Sequence, residues 1–183
     1  KYLNISFDYI GIDNYTYFKK DDLNAVKPFQ YPENINLIKF RISREFSINK
    51  FFIDNQIQYQ KISNASGVLN VPELIARNSI YFSSHLFDKA LFLQTGFSVS
   101  YFSKFYMNSY DPLLSEFYTQ NTKKIGGFPL IDFFVNAKIQ QTRLYFKLEH
   151  FNSSFTGYNF YSAPNYPYRD FSFRFGLVWN FFL

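Results

Sequence analysis

The chain has 183 residues, a formal net charge of +5, no cysteine, and 23% aromatic residues, among them 26 Phe and 16 Tyr. At about 100–200 residues per domain this is one domain with apolar content enough for a core, which excludes a disulfide scaffold and a disordered tail. No stretch approaches the roughly 18 uncharged apolar residues of a membrane-spanning helix. The charge surplus is small and its only doublets, Lys19-Lys20 and Lys123-Lys124, lie in turn-rich stretches, so no nucleic-acid partner is expected.

Taken in chain order, apolar residues recur at every second position. Leu3, Ile5, Phe7 and Tyr9 oppose Asn4, Ser6 and Asp8. Ile38–Ile48 sets Ile38, Phe40, Ile42, Phe46 and Ile48 against Lys39, Arg41, Ser43, Glu45 and Ser47, with Arg44 as the exception on the apolar side. Phe51, Ile53, Ile57 and Tyr59 oppose Asp54, Gln56, Gln58 and Gln60. Ser79–Phe87 carries aromatics on both sides. Leu91–Tyr101 sets Leu91, Leu93, Thr95, Phe97, Val99 and Tyr101 against Phe92, Gln94, Gly96, Ser98 and Ser100. Ile131, Phe133, Val135, Ala137 and Ile139 oppose Asp132, Asn136 and Lys138, and Leu144, Phe146 and Leu148 oppose Arg143, Lys147 and Glu149. In Phe171–Phe182 the odd positions are all apolar, against Ser172, Arg174, Gly176 and Asn180. Period two is the mark of a strand with one apolar face. The pattern predicts eight strands, and no helix beyond one short turn at Pro112–Tyr118.

The connections alternate in length. Asn49-Lys50, Asp88-Lys89 and Gln140–Thr142 read as tight hairpin turns, whereas 11–34, 62–78, 103–129 and 152–170 read as long loops. Short turns at one end and long loops at the other, over strands of about 10 residues, form the pattern of outer-membrane barrels. A soluble sandwich or lipocalin-like barrel also alternates, but its tapering core needs small residues among the large. Here nearly every apolar position is Phe, Tyr, Ile or Leu, which lipid accepts because it imposes no fixed shape. Lipid also demands that every backbone group be paired, as a closed barrel does. The expected fold is therefore all-β, an antiparallel up-and-down transmembrane β-barrel region over 1–183. The bacterial outer membrane is its expected location, the lipid bilayer its surroundings, and the four long loops are extracellular.

Arg174, Gly176, Trp179 and Phe181 match polar-x-Gly-x-x-aromatic-x-aromatic, a pattern that resembles the signal by which the outer-membrane assembly machinery recognises a last strand. A glycine among bulky strand neighbours points to a bend or a close approach. The stretches YPYRDFSFRFGLVWNFFL from Tyr166 and FPLIDFFVNAKIQQTRLYFKLEHFN from Phe128 resemble the family of putative porins of Bacteroidota outer membranes. LFLQTGFSVSYFSKFYMNSYDPLLSEFYTQ from Leu91 and VPELIARNSIYF from Val71 extend the resemblance upstream. The resemblance implies an outer-membrane barrel of the porin kind, passing small hydrophilic solutes, without catalytic residues or a named solute. It falls on the C-terminal part of longer members, so an N-terminal half, with the secretory signal that this chain lacks, is expected before Lys1. Eight strands alone close a barrel that side chains fill, whereas diffusion channels need roughly 16–18. The rival reading is a non-conducting structural barrel that contacts other outer-membrane proteins.

On the polar parity the candidates to line the lumen are Lys39, Arg41, Asp54, Gln56, Gln58, Asp132, Lys138, Lys147, Glu149 and Arg174. With Arg143, Asp8 and Glu45 added, the parity holds six basic and five acidic residues, a near-neutral wall. Glu149 and His150 are strand neighbours that point to opposite faces, so they cannot act as one acid–base pair, and His150 is expected on the apolar side at headgroup level. A lipid hydrolase built on His150 and a nearby Ser is a minor reading without a G-x-S-x-G elbow. No catalytic, metal or cofactor site is expected, since Cys is absent and the two His have no ligand spacing. Asn14-Tyr15-Thr16 and Asn64-Ala65-Ser66 match the short glycosylation acceptor pattern. The aromatic loops at Tyr15–Phe18 and Tyr158–Tyr168 fit an interfacial girdle, a constriction or a partner surface.

Overall fold

The computed structural model describes residues 2–64, 67–155 and 160–181. All regular structure among them is β. In chain order the strands are β1 (Asn4–Ile12), β2 (Thr16–Lys20), β3 (Val26–Gln30), β4 (Ile35–Ile48), β5 (Phe51–Ser63), β6 (Leu74–Leu86) and β7 (Leu91–Phe102). After them come β8 (Ser109–Asp111), β9 (Glu116–Tyr118), β10 (Pro129–Ile139), β11 (Thr142–Glu149), β12 (Tyr161–Ala163), β13 (Tyr166–Pro167) and β14 (Ser172–Trp179).

The eight long strands form one antiparallel sheet in the order β1-β4-β5-β6-β7-β10-β11-β14, the sequential meander that the alternation predicts. Its turns are built by residues that accept positive φ. Ile48 pairs with Phe51 around Asn49 (φ 55°), and Ile139 pairs with Thr142 around Gln140 (φ 51°). The expected Asp88-Lys89 turn is a four-residue connection from Phe87 to Ala90, with Leu86 paired to Leu91. Strand β6 starts five residues earlier than its periodicity suggests, because Ile75 lies on the polar face and Asn78 on the apolar one. The end of the last strand at Phe182 lies outside the described residues, as does the Ala65-Ser66 part of one acceptor pattern.

One expectation is met in part and one is corrected. The sheet does not close into a barrel: among the described residues β1 pairs only with β4, and β14 only with β11. Each outer edge, of β1 and of β14, therefore keeps a row of backbone groups without a strand partner. Pro112–Tyr118 is no helical turn; Asp111 and Glu116 close a β-hairpin there.

The long loops carry strands of their own. Strands β3, β2, β9 and β8 make a four-stranded sheet from two different loops, joined by the parallel pair Phe18 and Tyr118, and β12 pairs with β13. Pro28 sits on edge strand β3, where the missing N–H costs no ladder bond.

The buried apolar side chains are few and lie at the loop end. Ile35 (0% exposed) and Leu37 start β4 opposite Ile12 and Ile10, while Ile125, Phe160 and Ala163 come from loops. Ile35 and Leu37 share the parity of Lys39 and Arg41, whereas the apolar parity faces outward along the whole sheet: Phe7 is 65% exposed, Ile57 45% and Phe175 75%. The single apolar core that the composition suggests is thus mostly an outer coat.

Candidate functional site: the polar face of the sheet

Register places all ten lumen candidates on one face. Across the sheet, Lys39 pairs with Asp8 and Gln60, Arg41 with Gln58, Gln56 with Arg77, and Asp54 with Glu45 and Ser79. Asp132 pairs with Ser98, Lys138 with Phe92 and Arg143, Lys147 with Phe134 and Arg174, and Glu149 with Ser172. Since side chains alternate along a strand, one apolar parity fixes where every one of these points.

The structure draws the candidates into two clusters. On β4 and β5, Arg41 donates from Nε (3.0 Å) and from its terminal NH2 (2.7 Å) to Gln58 Oε1. Gln58 donates to Gln60 Oε1 at 3.0 Å, and Gln60 donates to the Pro72 carbonyl at 2.7 Å, so the chain of amides ends in the loop. On β10, β11 and β14, Lys147 Nζ lies 2.9 Å from Asp132 Oδ2 and 3.2 Å from Glu149 Oε1. Arg174 Nε lies 3.0 Å and Arg169 NH1 3.3 Å from Glu149 Oε2. Glu149 is buried to 5% exposure, and such a carboxylate persists only when cations surround it. Lys39 and Lys138 belong to neither cluster and have no ion pair among the described residues. Gln56 donates to Asp54 Oδ2 at 3.3 Å.

Several members of this face escape periodicity. Arg77 falls in a stretch that reads as loop, yet it stands opposite Gln56 and Ser100. Arg169 reaches Glu149 from beyond β13, and no strand pattern signals it. With Arg77 the strand face holds seven basic residues against five acidic ones, an excess of two positive charges.

At two glycines the face leaves no room for a side chain. Tyr81 pairs with Gly96, and a Cβ there would sit 2.5 Å from Tyr81 Cα and Cβ and run into the Ile80 carbonyl. Tyr81 stacks on Phe52 (5.2 Å, 9°) and donates its hydroxyl to Glu45 at 2.7 Å, which explains aromatics on both faces of β6. Likewise Tyr145 pairs with Gly176, where a Cβ would lie 2.5 Å from Tyr145 Cζ. The Gly176 of the C-terminal pattern is therefore a close approach of a ring. Arg174 and Gly176 lie on the polar face, while Trp179 and Phe181 lie exposed on the other, their rings stacked at 4.8 Å.

His150 does not stand exposed on the apolar face. Its φ of +53° turns the chain out of β11, and the ring is 2% exposed, edge-on to Phe160 (4.5 Å) and Tyr168 (5.5 Å). Nδ1–H donates to the Arg169 carbonyl at 2.8 Å, and the backbone N–H donates to Asp132 Oδ1 at 2.9 Å. The residue ties the β11 end to the loops. Beside it, Asn152 bridges the Ile131 N–H and the Pro129 carbonyl. Among the described residues no three His, Asp or Glu gather as a metal-ligand group.

The family model described as "Putative porin" matches residues 1–183, the whole chain. No curated protein and no solved structure matches.

Proposed function

The chain belongs to the putative porin family, and on that premise we propose that it forms part of the wall of an outer-membrane β-barrel that passes small hydrophilic solutes passively, without catalysis or a cofactor. The observation that carries this reading is the division of one sheet into an outward, mostly aromatic and aliphatic face and a hydrogen-bonded polar face. Hydrocarbon covers the first and water the second. The open edges of β1 and β14 fit the same reading, because backbone groups at an edge cannot stay unpaired in lipid. Further strands pair with both edges and widen the barrel beyond the eight-strand size that side chains would fill. The basic excess on the polar face makes the lumen favour anions.

Planar-bilayer recording of the full-length protein tests this. Defined open steps with an anion-selective reversal potential in a KCl gradient support it. Silence at high protein input overturns conduction.

One observation favours a second reading, a non-conducting structural barrel in a larger outer-membrane assembly. The tips of the two hairpins in the loop sheet present Leu23 and Leu113, the latter 94% exposed. Apolar tips held clear of the sheet suit a protein neighbour. In that case the bilayer stays silent, and Leu23→Ser with Leu113→Ser releases the neighbour.

A further inference from the structure

The loop end holds a second polar region that the wall does not account for. The four-stranded loop sheet, with 67–68 and 164–165, borders an open cleft of about 660 Å³. Lys19, Lys20 and Lys123 line it, together with Tyr17, Tyr118 and Ser109. Lys19 and Lys20 are neighbours on β2 and leave its opposite faces, so they reach the cleft from two sides.

The charges of these lysines are uncompensated. Lys20 Nζ lies 5.3 Å from the Tyr118 ring centroid, Lys123 Nζ 4.2 Å from that of Tyr161, and Lys19 Nζ 4.5 Å from that of Phe29. None of the three has a carboxylate within ion-pair distance among the described residues, and no Asp or Glu lines the cleft. Asp21, next to Lys20 in sequence, is taken by Lys27 at 2.6 Å and by the N–H groups of Leu23 and Ala25. An ammonium seated on a ring is positioned but not neutralised. Three such groups around one concave site focus a positive potential on it.

We propose that this cleft binds a polyhydroxylated anion of the sugar-phosphate class, the lysines holding the anionic group and the tyrosines and loop hydroxyls holding the sugar. The volume falls within the roughly 300–1,000 Å³ of small-molecule sites and exceeds what a bare phosphate fills. Tyrosine supplies an apolar ring for the carbon face of a sugar and a hydroxyl for its polar rim. Lysine suits a phosphate as a point charge on a flexible stem. The proposal deepens the pore reading by placing a solute-capturing site at its mouth, yet binding does not require conduction. Calorimetry tests the first and bilayer recording the second, so either can fail alone.

The full-length protein, folded in detergent micelles, is titrated with glucose 6-phosphate, inorganic phosphate and glucose. Glucose 6-phosphate binds about tenfold or more tightly than either of the others, and its affinity falls as KCl rises. Lys123→Gln weakens it about tenfold, as loss of one charged hydrogen bond does, and Lys19→Gln, Lys20→Gln and Lys123→Gln together abolish it. Lys89→Gln, in the hairpin turn at the opposite end, leaves it unchanged. Circular dichroism identical to that of the parent shows that each variant is folded. The proposal is overturned by absence of heat with glucose 6-phosphate at millimolar concentration, by equal affinity for inorganic phosphate, or by equal losses in Lys89→Gln and Lys123→Gln.

Discussion

On the outer face of the sheet, Phe7, Ile57 and Phe175 stand exposed with neighbours only along the surface; on the inner face, Gln60, Ser98 and Glu149 are buried and tied to named partners. The same strands carry both. The outer side chains need only an apolar medium, so their identity is loosely set and their polarity strictly set. The inner ones depend on geometry, so polarity is tolerated there and shape is not. This contrast follows from one fact about strands, that successive residues point to opposite sides.

The largest expected effect breaks the outer rule. Phe97, at the middle of β7, lies on the apolar face beside Phe133 at 5.2 Å. Phe97→Arg costs about 2–4 kcal/mol of folding stability in a phospholipid bilayer. Gln56→Arg, on the polar face, costs less than about 1 kcal/mol. Equilibrium unfolding of the two variants in vesicles gives the difference, and equal costs would abolish the distinction between faces.

Next comes the inner rule of shape. Gly96→Ala must displace the β6 backbone, for about 1–3 kcal/mol, whereas Gly176→Ala meets only the swinging ring end of Tyr145 and costs less. Tyr145→Ala in the Gly176→Ala background relieves that clash, while Tyr81→Ala does not relieve Gly96→Ala, because the obstacle includes the Ile80 carbonyl. Melting temperatures of the four variants check the ranking.

Charge on the inner face gives a third effect, seen in function as well as stability. Glu149→Gln leaves Lys147, Arg169 and Arg174 without their shared carboxylate. The loss of the charged Lys147 hydrogen bond and of the two arginine ion pairs costs about 1–3 kcal/mol, and the reversal potential moves further toward anion preference. An unchanged reversal potential would place these residues outside the conduction path.

The smallest effect lies in the loops, away from either face. The Lys27 ammonium hydrogen-bonded to Asp21, with the N–H of Ala25, holds the Asp21 carboxyl below its ordinary value of 3.8. The sign follows from that depression: the contribution to the β2–β3 hairpin is complete above pH 3.8 and fades as pH drops through the lowered value. At neutral pH, Asp21→Asn speeds amide exchange at Leu23 and Ala25 and leaves the sheet amides unaltered.

How far the sequence carries the account differs between wall and loops for physical reasons. In the wall, period two over 8 to 14 residues identifies all eight strands, and register then assembles the ten polar candidates without further assumption. The loop strands span 2 to 5 residues, contain Pro28 and Pro167, and pair across distant segments such as Phe18 with Tyr118. No period can show in so short a span. Arg77 is hidden because Ile75 and Asn78 break the alternation beside it, and His150 because a single positive φ reverses the parity inherited from β11. Closure is equally illegible: alternation specifies two faces, and says nothing of what pairs with the outer edges of β1 and β14.

The central claim is that the aromatic face meets hydrocarbon and the polar face meets water. Nitroxide labels at Phe173, Phe175 and Leu177, and separately at Lys147, Gln58 and Arg174, report it through collision with oxygen, which concentrates in lipid, and with a water-soluble nickel chelate. In phospholipid vesicles the first three labels are relaxed by oxygen and shielded from nickel, and the second three show the reverse. Nickel access to Phe175 equal to that of Arg174 would contradict the account.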